Sequence, residues 1–75
     1  MLIDRVKSKS IRAIGYDEGK EWLWVEFRSR TGGYIYFEVP HEVFDELMQD
    51  ASIGGYVNDV VKPKYRCEYR PLPPL

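Results

Sequence analysis

Four aromatic side chains are spaced to share a sheet surface: Trp22 and Trp24 in W-L-W-V-E-F-R, and Tyr34 and Tyr36 in G-Y-I-Y-F-E-V. Alternation at period two puts Trp22 and Trp24 on one face of a strand, with Leu23, Val25 and Phe27 on the other. If the aliphatic face packs under helices, the tryptophans point away from the core, and Tyr34 and Tyr36 are expected to join them. Arg12, Arg28 and Arg30 are expected nearby. Exposed rings flanked by guanidinium groups form a platform on which bases stack, at about 1–3 kcal/mol per base. The same surface suits a subunit interface. A one-residue slip of register would instead turn Tyr34 and Tyr36 into the core.

Other reactive groups are sparse. His41 is the only histidine and reads as a solvated residue at a helix start. Cys67 stands alone in Y-R-C-E-Y, beside Arg66. No second cysteine or neighbouring histidine makes it a nucleophile or part of a metal set. It reads as a free thiol. Ser52-Ile53-Gly54-Gly55 enters a helix whose free N–H groups could hold an anion. The segment lacks the Lys-Ser/Thr ending of a phosphate-binding loop, and a helix cap with a packing glycine explains it more simply. The acids of the first helix read as a solvated face. No catalytic residue, metal ligand or cofactor is expected, and the chain does not read as an enzyme.

The chain has 75 residues, of which 44% are hydrophobic and 15% aromatic. That is one globular domain near the lower size limit for an unaided core, so dimerisation or a partner is expected to supply part of its stability. A lone cysteine argues against a disulfide-stapled secreted domain. Met1-Leu2-Ile3 runs directly into Asp4 and Arg5, with neither a signal peptide's apolar run nor a membrane span behind it. A cytoplasmic protein with no membrane partner is expected. The net charge of -1 is segregated. Arg5, Lys7, Lys9 and Arg12 outweigh Asp4 at the start, and Lys62, Lys64, Arg66 and Arg70 outweigh Glu68 near the end. Ten acids against Lys20, Arg28 and Arg30 make the middle acidic. If the ends meet, they form a basic patch suited to an anionic partner.

The elements that must position these groups follow from pattern. Residues 10–17 predict a first strand, with Gly15 as a bulge or close approach. Residues 22–28 predict a second, and Ser29-Arg30-Thr31-Gly32-Gly33 a hairpin loop. Residues 34–39 predict a third, completing an antiparallel meander. Pro40 ends that strand and suits a helix's first turn. Val43, Phe44, Leu47, Met48 and Ala51 then form an apolar stripe at helical spacing. Ser52 caps a second helix whose stripe is Ile53, Tyr56, Val57, Val60 and Val61, ended by Lys62-Pro63. The fold class expected is α+β: a three-stranded antiparallel meander with two C-terminal helices on one face. Residues 1–66 form the domain, and residues 67–75 read as a Pro-rich extended tail.

Several stretches together resemble the KTSC domain. They are Ser10 with Gly15-Tyr16-Asp17; Leu23, Val25 and Phe27; Gly33-Tyr34-x-Tyr36-x-x-Val39-Pro40; and Ala51-Ser52-x-Gly54-x-Tyr56-x-Asn58 with a closing Tyr65. The resemblance covers about residues 8 to 66, with Asp59 standing where that family often carries a basic residue or His. The family is named for its place at the C-terminus of some lysyl-tRNA synthetases and also occurs as short separate proteins. The resemblance implies RNA as the partner to expect. The functional expectation is therefore a binding module. Trp22, Trp24, Tyr34 or Tyr36 would stack on bases, and Arg12, Arg28, Lys62, Lys64 and Arg66 would meet phosphates. Two alternatives stand beside it: a homodimer or higher oligomer holding a small anionic or nucleotide ligand between subunits, and an interaction adaptor recognised through its Pro-rich tail.

Overall fold

A computed structural model describes residues 1–74. Five strands form one antiparallel sheet: β1 (Leu2–Arg5), β2 (Ile11–Asp17), β3 (Trp22–Phe27), β4 (Gly33–Tyr36) and β5 (Cys67–Arg70). Their order in the sheet is the order in the chain. The central three are the strands expected from alternation. The expected three-stranded sheet is therefore corrected to five by an added strand at each edge. Both additions are four residues long and largely exposed, as edge strands commonly are. β5 also takes the first four residues of the expected tail. Pro71 follows it directly.

Helix α1 (His41–Gln49) starts after Pro40, whose backbone is extended at φ -63° and ψ 152°. Its buried Leu47, with Val43, Phe44 and Met48 beside it, presents the expected stripe to the sheet. Asp50 Oδ1 accepts the Ser52 N–H at 2.8 Å, and Ser52 Oγ accepts the Gly55 N–H at 3.1 Å. The second helix then runs on as α2 (Ile53–Tyr56), a π-helical turn (Val57–Val61) and α3 (Lys62–Lys64). Lys62-Pro63 does not end it. Proline in a helix interior lacks a donor and clashes with the carbonyl four residues earlier, here that of Asp59. Widening the preceding turn accommodates that residue, and the Lys62 N–H bonds to Val57 O in place of the α-helical partner.

Tyr36 pairs with Leu23 and Tyr34 with Val25 across β3 and β4. Directly opposed residues share a face, so both tyrosines lie on the helix side of the sheet, contrary to the expected grouping with the tryptophans. Tyr36 is buried in the main core with Leu23, Val25, Val39 and the helical Leu47, Val57 and Val61. The register of the β3–β4 hairpin decides this without any bulge.

The other sheet face is packed as well. Trp24, expected to be exposed, is 0% exposed. The reason lies in its neighbours: it pairs with Gly15 on β2 and Ile35 on β4. A Cβ on Gly33 would come within 2.6 Å of Trp24 Cζ2, and one on Gly15 within 2.8 Å of Ile3 Cγ1. Two strands without side chains at these points leave the space that the indole and the N-terminal strand occupy. Trp22 is half-buried, with Phe37 edge-on at 5.8 Å and Lys20 Nζ 4.5 Å over its ring.

Candidate functional site

Across the helix side of the sheet, one aromatic side chain from each of three neighbouring strands forms a row. Phe27 on β3 meets Tyr34 on β4 at 5.8 Å between centroids, and Tyr34 meets Tyr69 on β5 at 5.6 Å. Both contacts are edge-to-face, the arrangement that sets positive ring edge against negative ring face. The Phe27 and Tyr34 rings are half-buried and Tyr69 is exposed. Arg30 Nη1 donates to the Tyr34 hydroxyl at 2.9 Å, and the Tyr69 hydroxyl donates to Thr31 O at 3.3 Å. The hairpin loop thus anchors the polar tips of both tyrosines.

Beside this row lies a cleft of about 340 Å³ lined by Phe27, Ser29, Arg30, Tyr34, Tyr36, Lys62 and Cys67. That volume falls at the small end of the range for ligand pockets. The Lys62 ammonium is 4.9 Å from the centre of the Phe27 ring, a cation–π distance. The π-helical turn accounts for its position. In a regular α-helix Lys62 would lie about 140° around the axis from Val57. The wider turn brings it back toward the sheet-facing side that Val57 occupies. Tyr36 forms the floor of the cleft. Burial, then the adjacent Cys67 and Tyr34, push its phenol up from 10.0 to about 12. The neutral hydroxyl at that floor is a hydrogen-bonding group and not a charge at physiological pH.

The expected basic contacts divide. Arg12 Nη2 donates to Phe27 O at 3.0 Å and to Arg30 O at 2.9 Å, and Arg28 Nε donates to Ser8 O at 2.7 Å. Arg12 and Arg28 therefore tie the hairpin end of the sheet and the β1–β2 loop together, a structural use that sequence spacing did not reveal. Lys64 and Arg66 line a separate depression with Phe37, Glu38 and Tyr65, where Arg66 Cζ lies 5.6 Å from the Phe37 ring. Of the nine residues expected to bind, only Tyr34, Tyr36 and Lys62 come together in the cleft. Phe27 was assigned wholly to the core and Tyr69 to the tail. Only knowledge of β5 and of the hairpin register could have placed both in this row.

Ser52 acts as the cap, and Gly54 is a packing position, since a Cβ there would overlap Ser10 Oγ. His41 contacts Asp45 Oδ2 at 3.0 Å on the far, acidic side of α1. Cys67 is an exposed free thiol. Among the described residues, no group of His, Cys, Asp or Glu has the arrangement of a metal site, and no helix is long and apolar enough to cross a membrane.

This architecture defines a small α+β domain with a cation-flanked aromatic cleft. The model of the KTSC domain family matches residues 7–65, and the chain belongs to that family. It is 48% identical over 63 residues to a protein of Tsukamurella paurometabola, covering 81% of this chain and 90% of that one. It is 40% identical over 60 residues to an uncharacterised protein of Stutzerimonas stutzeri, covering 80% and 83%. The crystal structure of a KTSC domain protein from Yersinia pestis superposes with a TM-score of 0.87 at 32% identity, covering 92% of this chain and 96% of the other.

Proposed function

We propose that this domain binds single-stranded RNA on its helix-side aromatic row. The observation that carries this reading is the Phe27–Tyr34–Tyr69 row, flanked by the Lys62 ammonium and the Arg30 guanidinium. Single-stranded bases splay out and stack on such rings, and cations beside them neutralise the linking phosphates. In this role Tyr34 is the central platform, with Phe27 and the cleft beyond it receiving a neighbouring base. Lys62 faces the backbone phosphate, and the neutral Tyr36 hydroxyl offers a hydrogen bond to a base edge. The family's place beside lysyl-tRNA synthetases agrees with such a role. Fluorescence anisotropy with a labelled single-stranded RNA pool tests it. Affinity should fall steeply with added salt and drop when Tyr34 is replaced by alanine. Salt-insensitive binding, or no binding to any member of the pool, would refute the proposal.

A further inference from the structure

We infer that two copies of this chain join their sheets edge to edge through β5, with the two-fold axis passing beside Tyr69. β5 is the last strand of the sheet, so one side of its backbone has no strand partner among the described residues. The phase of the β4–β5 ladder identifies the outward-facing groups. The Phe37 N–H bonds to Arg66 O at 2.9 Å, and the register continues through Tyr36 with Cys67, Ile35 with Glu68 and Tyr34 with Tyr69. Bonded and non-bonded pairs alternate in an antiparallel ladder. Glu68 and Arg70 therefore turn their peptide groups toward β4, and Cys67 and Tyr69 turn theirs to the free edge. The next outward position is Pro71, which offers a carbonyl but no N–H.

Three two-fold registers can be compared. Centred on Glu68, the pairing opposes Glu68 to Glu68 and Arg66 to Arg70, both repulsive. Centred on Cys67, it opposes Tyr69 to Tyr65, which caps α3 and lies outside the strand. Centred on Tyr69, the two Tyr69 residues exchange a pair of backbone hydrogen bonds, and each Cys67 N–H meets the partner's Pro71 carbonyl. Because Pro71 has no N–H, each Cys67 carbonyl at that pair stays turned to solvent. In that register each Glu68 stands opposite the partner's Arg70 in a non-hydrogen-bonded pair, where facing side chains approach most closely. Within one chain these two residues already contact each other at 3.3 Å. The edge is thus self-complementary in charge, and in hydrogen bonding at the Tyr69 pair and the Cys67 N–H groups, as an isologous contact requires.

The assembly is independent of the RNA reading but bears on the same surface. A two-fold perpendicular to the joined sheet keeps both aromatic rows on one side. Tyr69, 48% exposed in the single chain, would meet its counterpart at the seam.

Analytical ultracentrifugation of the full chain, without RNA, reads the association directly. Wild type should dimerise. Glu68→Arg and Arg70→Glu should each weaken association by about tenfold or more, as two opposed pairs turn from attractive to repulsive. The double exchange Glu68→Arg with Arg70→Glu should restore it. A second measurement fixes the register. Mixing Cys67→Ser/Glu68→Cys with Cys67→Ser/Arg70→Cys under oxidation should give a mixed disulfide between the two variants. A wild type that stays monomeric at millimolar concentration, a dimer indifferent to both single reversals, or a mixture that fails to cross-link would overturn the inference.

Discussion

The Trp24 indole N–H donates to Glu26 Oε2 at 2.9 Å, two residues further along the same strand. A fully buried ring thus keeps its one polar atom satisfied, on a sheet face that alternation alone would assign to solvent. The domain therefore has packing on both faces of its sheet. In a chain so short, the second face supplies core that the helix side lacks.

Loss of that ring should be felt throughout the fold. Trp24→Ala is expected to cost about 3–5 kcal/mol, against a few tenths to about 1 kcal/mol for the half-buried Trp22. Gly33→Ala should cost about 1–3 kcal/mol by overpacking, because its Cβ would meet Trp24 Cζ2 and Val25 O at 2.6 Å. Urea denaturation orders the three variants. A Trp24→Ala protein as stable as Trp22→Ala would contradict the buried placement.

RNA affinity should depend on a different pair of residues. Tyr34→Ala is expected to lose about 1–3 kcal/mol of binding, whereas Tyr34→Phe should lose only what the Arg30 contact provides. Trp22→Ala, on the opposite face, should bind as wild type does. Anisotropy titrations on folded variants decide it, and equal losses at Tyr34 and Trp22 would place the site elsewhere.

The salt dependence should single out one lysine. Lys62→Ala is expected to reduce the slope of log affinity against log salt by about 0.7, the value for one released counterion on a single strand. Lys64→Ala and Arg66→Ala, in their separate depression, should leave that slope nearly unchanged. Slopes that respond equally at all three positions would argue for a diffuse basic surface and not a seated phosphate.

Alkaline pH should expose Tyr36. Its phenol is held neutral to about pH 12, first by burial and then by Cys67 and Tyr34, against an ordinary value of 10.0. A raised folded-state value means that the neutral form favours the fold. This contribution is complete below pH 10 and is lost as pH climbs toward 12. Tyrosinate absorbance should therefore rise in separated phases, with Tyr36 in the late one. Tyr36→Phe should remove part of the late phase and flatten the alkaline fall in stability. A Tyr36 that ionised with the exposed tyrosines would contradict its burial.

Much of this architecture was legible in the residues. The alternation of Leu23, Val25 and Phe27 located β3, and Val39-Pro40 marked the passage to α1. Ser52 and the Ile53-to-Val61 stripe located the second helix. β1 and β5 were missed because edge strands bury little, so Leu2-Ile3-Asp4-Arg5 and Cys67-Glu68-Tyr69-Arg70 carry no period-two hydrophobic contrast. The inner and outer faces were harder still. Alternation separates Trp24 from Leu23 but cannot say that Gly15 and Gly33 clear a space for the larger ring. Nor does it fix which β3 residue Tyr34 opposes, and that register carried the aromatic row from one side of the sheet to the other. Lys62 reached the cleft through a helical irregularity that side-chain periodicity, read at 3.6 residues per turn, does not encode.

The widened turn at Val57–Val61 also has a genealogical reading. Its backbone is that of an α-helix carrying one supernumerary residue, so a single-codon deletion there would restore regular geometry while leaving all five strands unaltered. Such a deletion would leave Lys62 four residues after Val57, about 40° around the axis, so the cation would stay on the flank that faces Phe27. Chain length in this one segment can therefore change by a whole residue while the surface that bears the charge stays the same.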